Sequence, residues 1–318
     1  MIDWESVKNN KWTPRKENEF KILAIDGGGM KGVFPAKYLS DIEEQVGKPI
    51  HQYFDLIAGT STGGIIALGL ANDISAKDIL ELYLKRGKDI FGNRRTILPV
   101  SKDSHYGNDG LIQVLQETFG DKLLKEVNTM VCIPSIEHQK ASPKVYKTPH
   151  HPHFIKDGNI EIWKIALATS AAPTYLPAAV IDENECKIDG GLWANNPVLV
   201  AIAEAVKLGY SLDQIKVLSI GTGTSLYEVD NKHAIRGGIL SWGTNLVDFT
   251  MQAQSKGAFY TACYLIGNRL SRIDFETGVN YKLDNTESNI LARLQHEANQ
   301  KFLDSFEKGN IRTQFFSE

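Results

Sequence analysis

The sequence has few cysteines, no long apolar run and no strong excess of charge. Cys132, Cys186 and Cys263 lie far apart and form no C-x-x-C motif, which argues against a disulfide framework and against a cysteine-based metal or redox site. No apolar stretch is long enough to cross a bilayer. The formal net charge of −3 argues against broad binding of nucleic-acid polymers. Residues 1–20 contain no apolar h-region, so we expect no secretory signal and a cytoplasmic protein.

The 318 residues include 42% apolar residues, enough to bury a substantial core. We predict a polar arm at residues 1–19 and a single domain over residues 20–318. Strand–glycine–helix units succeed one another early in the domain, an order typical of a parallel sheet with helices on its faces. The expected fold is a three-layer α/β/α fold with a mainly parallel central sheet and a helical C-terminal section. The main predicted helices cover residues 33–46, 64–71, 79–84, 111–119, 162–171 and 198–208.

The turn at residues 59–63 reads Gly-Thr-Ser-Thr-Gly and fits the pattern G-x-S-x-G. An apolar strand candidate precedes it, and small apolar residues at helical spacing follow it. Strand, sharp turn and helix are the context in which this pattern lifts a serine hydroxyl out of a sheet, because Gly59 and Gly63 allow a strained turn. Ser61 is therefore a candidate nucleophile, although the same residues also fit a plain glycine-rich turn.

A second glycine-rich turn follows the first strand and reads Asp-Gly-Gly-Gly-Met-Lys-Gly over residues 26–32. Its glycines satisfy G-x-G-x-x-G, but no acidic residue closes the next strand, so the dinucleotide-binding pattern is incomplete. A P-loop is excluded because Val33 stands where a lysine is needed. Backbone N–H groups at a helix N-terminus can instead hold an oxyanion, and Lys31 would add positive charge close by.

A serine nucleophile needs a base, and none of the eight histidines follows a strand in a setting that favours catalysis. The histidine-rich segment 150–153 is broken by proline and offers no regular ligand geometry, so we predict no metal site. Asp189 follows a short strand candidate and precedes Gly190 and Gly191, which leave room for close approach. Burial would raise the pKa of such an aspartate and let it act as a base, although an isolated Asp-Gly pair is also a common turn.

Together the 26–32 loop, the 59–63 turn and Asp189-Gly190-Gly191, in that order, closely resemble the patatin-like phospholipases. Segments 168–173 and 195–197 look like further parts of the same family, as does Tyr106 ahead of the 111–119 helix. The resemblance covers about residues 20–225.

This resemblance implies a serine lipid acyl hydrolase that needs neither a cofactor nor a catalytic metal. Ser61 maps to the nucleophile and Asp189 to the base of a serine–aspartate dyad. Lys31 stands where the family often has arginine, which keeps the charge but loses the planar fork. The expected oxyanion hole comprises Gly27, Gly28 and Gly29, and the expected supporting residues are Lys31, Gly59, Gly63, Gly190 and Gly191.

The compact layout is also similar to bacterial patatin-like effectors of antiviral defence, which cyclic nucleotides activate to degrade the cell's own membrane. That resemblance implies a membrane phospholipid substrate, peripheral contact with the inner face of the membrane, a cyclic dinucleotide activator and a homo-oligomer. Two alternatives stay open: a housekeeping bacterial lipase or esterase, and a storage or binding protein that keeps the fold with little activity. A dinucleotide-binding oxidoreductase is a more distant alternative.

A local basic excess extends into the loop that we predict over about residues 86–110. Between Lys85 and Arg95, Asp89 is the one acidic residue. Charge runs are usually solvated surface, but this one could bind the phosphates of lipid headgroups or of a nucleotide activator. Arg94 and Arg95 are the candidate phosphate ligands, with Tyr106 as a candidate for base stacking. The basic residues concerned are Lys85, Arg86, Lys88, Arg94 and Arg95.

Overall fold

The computed structural model describes residues 12–92, 95, 103–182, 185–225, 245–278 and 281–317. Its strands are β1 (Phe20–Ile25), β2 (Leu56–Gly59), β3 (Met130–Glu137), β4 (Ser142–Lys147), β5 (Ala179–Asp182), β6 (Glu185–Asp189), β7 (Ile215–Ile220), β8 (Thr224–Ser225), β9 (Leu270–Ile273) and β10 (Glu276–Thr277). Its α-helices are α1 (Val33–Val46), α2 (Thr62–Ala71), α3 (Ala76–Phe91), α4 (Asp109–Phe119), α5 (Ile162–Ser170), α6 (Gly191–Ala194), α7 (Val198–Lys207), α8 (Asn245–Ile266), α9 (Ser288–Lys301) and α10 (Ile311–Phe315).

Eight of the described strands form one sheet in the order β5-β6-β3-β2-β1-β7-β9, and β4 also pairs with β3. The strands from β3 across β2, β1 and β7 to β9 are parallel to one another. The pairings of β3 with β4, β3 with β6 and β5 with β6 are antiparallel. The expectation of a mainly parallel central sheet is confirmed, and antiparallel strands complete one side of it.

Helices cover both faces of the central strands. Residues 22–25 of β1 are all fully buried, and the side chains of successive strand residues point to opposite faces of a sheet. The helix α2 packs against β1, β2 and β3, whereas α7 packs against β1, β2 and β7. These contacts confirm the three-layer α/β/α arrangement. Among the described helices, none combines the length and the apolar character that crossing a bilayer requires.

The helix α3 is longer than predicted and corrects our placement of the basic residues. It runs to Phe91, so Lys85, Arg86 and Lys88 lie on a helix and not in a loop. The helix continues through Gly87, which lies within the predicted loop, and this glycine faces Met30. A Cβ at position 87 would lie 2.4 Å from the Met30 methyl carbon, so glycine permits close packing here.

The C-terminal section contains helices, as predicted. It also contributes the strand β9, which was not predicted and which joins the main sheet next to β7. The predicted N-terminal arm is described from Trp12 onward, and its residues 1–11 lie outside the described part. Trp12 is 3% exposed, and the backbone N–H of Arg15 donates to Asp55 Oδ1 at 2.8 Å. The Tyr210 hydroxyl donates to the Lys16 carbonyl at 2.9 Å. The described end of the arm therefore packs on the domain.

Candidate active site

Ser61 occupies the sharp turn between β2 and α2. Its backbone angles are φ 54° and ψ −124°, a region that is costly for any residue other than glycine. The Ser61 N–H donates to Thr169 Oγ1 at 2.9 Å, and the Thr169 hydroxyl donates to the Pro134 carbonyl at 2.6 Å. A Cβ at Gly59 would lie 2.0 Å from the Gly63 carbonyl oxygen, so the turn closes only around glycine. These contacts hold Ser61 in the geometry of a nucleophile elbow.

Asp189 is the last residue of β6 and is 1% exposed. Its Oδ1 accepts a hydrogen bond from the Gly191 N–H at 2.7 Å, whereas its Oδ2 is buried without a hydrogen bond among the described residues. Burial raises the pKa of Asp189 to about 7, while the neighbouring Ser61 hydroxyl and the Gly191 N–H act in the opposite direction. Near neutral pH this carboxyl group can therefore both accept and return a proton.

The three motifs meet around these two side chains. A Cβ at Gly27 would lie 3.1 Å from the Ser61 Cβ, so the glycine loop touches the elbow. A Cβ at Gly191 would lie 3.0 Å from Asp189 Oδ1, and one at Gly190 would lie 2.4 Å from the Pro134 carbonyl. The turn after β6 is therefore packed too closely for larger residues. The fold thus brings together segments that are far apart in the sequence.

The glycine loop at residues 27–29 offers fewer free donors than expected. The Gly27 N–H already donates to the Asn195 carbonyl at 3.0 Å. The N–H groups of Gly28 and Gly29 have no acceptor among the described residues. Gly29 has φ 56°, and a Cβ there would lie 2.2 Å from the Leu283 carbonyl. Gly28 and Gly29 are therefore the residues of this loop whose N–H groups are available for an oxyanion.

Two cavities adjoin the loop, and they differ in character. Ser61 and Gly29 line an apolar cavity of about 40 Å³. Lys31, Gly27 and Gly28 line a larger cavity of about 430 Å³ that contains charged side chains of both signs. Burial lowers the pKa of Lys31, against the effect of nearby carboxylates. The Lys31 side chain thus lies beside the loop, in the second cavity, where burial disfavours its charged form. Other residues of the apolar cavity are Ile65, Ile90, Phe91, Leu111 and Leu176.

A sequence profile of the patatin-like phospholipases matches residues 23–202, which include Ser61, Asp189 and the glycine loop. The chain belongs to the patatin-like phospholipase family. It is therefore a hydrolase, as the motifs predicted.

Relatives of this patatin-like phospholipase occur in bacteria and plants. The chain is 35% identical to a cGAMP-activated phospholipase of Pseudomonas aeruginosa, over 80% of this chain and 78% of the relative. It is 30% identical to a cGAMP-activated phospholipase of Vibrio cholerae, over 94% of this chain and 95% of the relative. Patatin-like protein 2 of Arabidopsis thaliana is 32% identical, over 80% of this chain and 74% of that protein.

Of the candidates for phosphate binding and base stacking in this patatin-like phospholipase, the structure describes Arg95 and Tyr106, and these two differ in exposure. Arg94 lies outside the described residues. Arg95 is exposed, and its backbone N–H donates to the His105 carbonyl at 2.8 Å. Tyr106 is 3% exposed, and its hydroxyl donates to Asp284 Oδ2 at 2.8 Å. The Tyr106 ring is buried in the core, so in this conformation it offers no face for stacking on a nucleotide base.

The histidine-rich segment has a structural role in the described fold. His150 is fully buried, with its Nε2 3.1 Å from Glu204 Oε1 and its Nδ1 2.7 Å from the Thr148 hydroxyl. Glu204 also binds Lys147. Within the described ranges, no group of three or more His, Cys, Asp or Glu side chains is placed to hold a metal ion.

Three residues that support the site were not assigned a role from the sequence. Thr169 Oγ1 accepts a hydrogen bond from the Ser61 N–H, and the backbone carbonyl of Asn195 accepts one from the Gly27 N–H. The Thr222 hydroxyl donates to the Gly27 carbonyl at 2.8 Å. The first two lie in segments that resembled the family, at 168–173 and 195–197. Thr222 gave no such signal, because a threonine between glycines after a strand is common in turns.

Proposed function

We propose that Ser61 and Asp189 form a catalytic dyad that hydrolyses the acyl esters of membrane glycerophospholipids. The observation that carries the proposal is a strained serine beside a buried aspartate whose pKa burial raises to about 7. An aspartate with an ordinary pKa would be a poor base, because catalytic bases work best when their pKa lies near the working pH. Burial thus supplies the basicity that a histidine supplies in other serine hydrolases.

The reaction proceeds in two halves. Ser61 Oγ attacks the acyl carbonyl carbon while its proton passes to Asp189, and the N–H groups of Gly28 and Gly29 bind the resulting oxyanion. The bond to the glycerol oxygen then breaks, and the proton on Asp189 moves to that leaving oxygen. Water then attacks the acyl-Ser61 ester while its proton passes to Asp189. The bond to Ser61 Oγ breaks, the fatty acid leaves, and the proton on Asp189 returns to Ser61 Oγ. A single oxyanion donor is typically worth about 3 kcal/mol of barrier lowering.

The apolar cavity next to Ser61 supports an acyl chain as the group that is transferred. Its lining residues include Ile65, Leu111 and Leu176, which favour hydrocarbon over polar groups. The cavity is small, with a volume of about 40 Å³. We therefore propose that lining side chains such as Phe91 move aside when a fatty acyl chain enters.

We further propose that a cyclic dinucleotide activates this enzyme, in bacterial antiviral defence. Two relatives that align with most of the chain are named cGAMP-activated phospholipases. We propose peripheral contact with the inner face of the membrane as the way to the substrate, and self-association as part of the activated state. The charged cavity beside Gly27 and Gly28 has room for a polar ligand next to the oxyanion loop.

The proposed function is tested with vesicles of mixed phospholipids, incubated with the protein in the presence and absence of cGAMP. We expect fatty acid release that depends on the nucleotide, co-sedimentation with the vesicles and a larger particle in size-exclusion chromatography when the nucleotide is present. Release that is equally fast without any nucleotide indicates a housekeeping lipase. No release under either condition, together with normal folding, indicates a storage or binding protein.

The dyad itself is tested by Ser61→Ala, Asp189→Asn and the double variant. Each single change should abolish nearly all activity, and the double variant should lose no more, because nucleophile and base act as a unit. A fluorophosphonate probe should label the parent protein at Ser61. The exposed Ser317→Ala is the matched control and should keep both activity and labelling. Parent-like hydrolysis by Asp189→Asn contradicts the dyad.

A further inference from the structure

Asp26, the residue before the glycine loop, is a carboxylate buried at 2% exposure. Both of its oxygens are bound by Arg272 of β9: Nη1 lies 2.9 Å from Oδ1 and Nη2 lies 2.7 Å from Oδ2. The Ser255 hydroxyl of α8 donates to Oδ2 at 2.5 Å. Arg272 Nη2 also binds Asp274 Oδ2 at 2.7 Å. The Asp26 side chain is thus fixed in position and in rotation by a planar fork.

Arg272 remains a cation in this environment. Burial acts to lower its pKa, but the carboxylates of Asp26 and Asp274 together raise the pKa above the ordinary arginine value. A buried ion pair contributes little net stability, because the cost of removing its charges from water offsets much of their attraction. Such a pair does fix the relative position of its two side chains. Here it fixes Asp26, the residue that precedes the glycine loop.

The loop is attached to the C-terminal section at further points. The Asp26 N–H donates to the Ile220 carbonyl at 3.0 Å, and the Met30 N–H donates to the Leu283 carbonyl at 2.8 Å. Thr222 holds the Gly27 carbonyl at 2.8 Å. All of these partners lie beyond residue 202, where the family match ends. The loop that carries the free N–H groups is therefore held at these points by the part of the chain outside that match, in addition to its contact with Asn195 inside it.

We propose that Arg272 is a positioning residue for the oxyanion loop. It holds Asp26, and through Asp26 it sets where the N–H groups of Gly28 and Gly29 point. Oxyanion donors must lie about 2.7–3.1 Å from the developing charge, and a displacement of about 1 Å can cost roughly a hundredfold in rate. Ser255 extends this control to α8, because its hydroxyl bonds the same carboxylate. The inference rests on the proposed function, since it assumes the oxyanion role of the loop.

The test compares Arg272→Met, Arg272→Lys and Ser255→Ala with Arg269→Met as the matched control. Arg269 lies three residues earlier and donates to the Leu212 carbonyl, away from the loop. For each folded variant, kcat and KM are measured on a small soluble ester, together with the rate of Ser61 labelling by a fluorophosphonate. Thermal unfolding gives the stability and the folded fraction.

We expect Arg272→Met to lower kcat by roughly tenfold to a hundredfold with little change in KM, and to slow labelling in parallel, since both reactions place charge on the oxyanion. Arg272→Lys should lose less, because it keeps the charge without the fork. Ser255→Ala should lower kcat by roughly two- to tenfold, as expected for one hydrogen bond. Arg269→Met should match the parent in kcat, KM and labelling.

A parent-like kcat per folded molecule in Arg272→Lys and Ser255→Ala overturns the inference, and the pair then has a structural role alone. If Arg272→Met does not fold, these two milder variants decide the question. Failure of the proposed function has a different signature, because Ser61→Ala would then keep its activity. An Arg272→Met variant whose KM rises while its kcat stays at the parent value also overturns the inference. Such a result points to substrate binding rather than to the oxyanion.

Discussion

Asp189 lies directly opposite Ser135 where β6 pairs with β3. The pairing of β3 with β2 ends at Cys132, and β4 occupies the other edge of β3 from Cys132 to Glu137. The strand β6 therefore continues the edge of β3 that β2 leaves free. Ser61 follows the end of β2, so this register carries the aspartate to the serine. The antiparallel strands at one side of the sheet thus have a direct role in forming the site.

The first prediction concerns pH dependence. Asp189 must be ionised to accept the Ser61 proton, and burial raises its pKa to about 7. The kcat/KM for a small ester without titrating groups should therefore rise with pH and reach half of its maximum near pH 7. The rate of fluorophosphonate labelling at Ser61 should follow the same curve. A profile that is flat between pH 5 and pH 9 contradicts the role of Asp189 as the base.

The second prediction follows from the same pKa and concerns stability. The folded pKa of Asp189 lies above the unfolded value, so between about pH 4 and pH 7 the folded state holds a proton that the unfolded state has lost. The free energy of unfolding therefore decreases as pH rises through this window. Asp189→Asn removes this dependence, so it should stabilise the protein more at pH 8 than at pH 5.

Urea denaturation at the two pH values measures this effect, and each unit of pKa shift corresponds to about 1.4 kcal/mol. The exposed Asp121→Asn removes a carboxylate from the surface and serves as the control. An Asp189→Asn variant that is less stable than the parent at pH 8 would show that the carboxylate contributes more by its hydrogen bonds than it costs by its burial.

The third prediction concerns the oxyanion loop. A Cβ at Gly28 would lie 2.3 Å from the Thr222 hydroxyl oxygen and 2.7 Å from its Cβ, so Gly28→Ala must displace the loop or Thr222. We expect kcat to fall by roughly tenfold to a thousandfold with a smaller change in KM, as for loss of an oxyanion donor. Gly257→Ala is the control, because a Cβ there meets nothing within 4 Å. Equal activity of the two variants contradicts the role of the loop.

Local patterns were enough to predict the elbow and the glycine loop from the sequence. The turn at Gly59 depends on a contact with Gly63 only four residues away, and such short-range geometry is visible in the sequence. The predicted helix ended at residue 84, short of the end of α3 at Phe91. Within this missed part, Gly87 packs against Met30, which comes from a distant segment. Short-range signals alone could not show that packing.

The hydrogen-bond partners of the glycine loop could not be predicted for the same reason. The Asn195 carbonyl accepts a hydrogen bond from the Gly27 N–H, and Arg272 binds the Asp26 carboxylate. Both residues are distant from the loop in the sequence and come close to it only in the folded sheet. The strand β9 that carries Arg272 is four residues long and half-buried, so its apolar pattern is weak. The sequence therefore predicted which residues meet at the candidate site better than it predicted which residues hold them in place.

The last prediction concerns the basic residues at the end of α3 and after it. Arg86 binds Asp89 and Glu117 at the surface, so much of its charge is already compensated. Arg95 is exposed and has no ion pair with a described carboxylate. A free arginine of this kind attracts an anionic membrane by about 1 kcal/mol, and salt screens that attraction. Of the predicted basic residues that the structure describes, Lys88 and Arg95 are exposed and form no ion pair with a described carboxylate. Arg94 lies outside the described residues, and we keep it in the prediction as the neighbour of Arg95.

We expect Arg94→Glu with Arg95→Glu to slow hydrolysis of anionic vesicles by at least about fivefold at low salt and to leave a small soluble ester unaffected. The difference from the parent should shrink at high salt, because screening removes the attraction from both proteins. Lys85→Glu is the control, since Lys85 already pairs with Glu81 at 2.6 Å on the exposed side of α3. Unchanged vesicle turnover would show that this segment is ordinary solvated surface. Loss on both substrates, together with loss of cGAMP binding, would place the two arginines at the activator site instead.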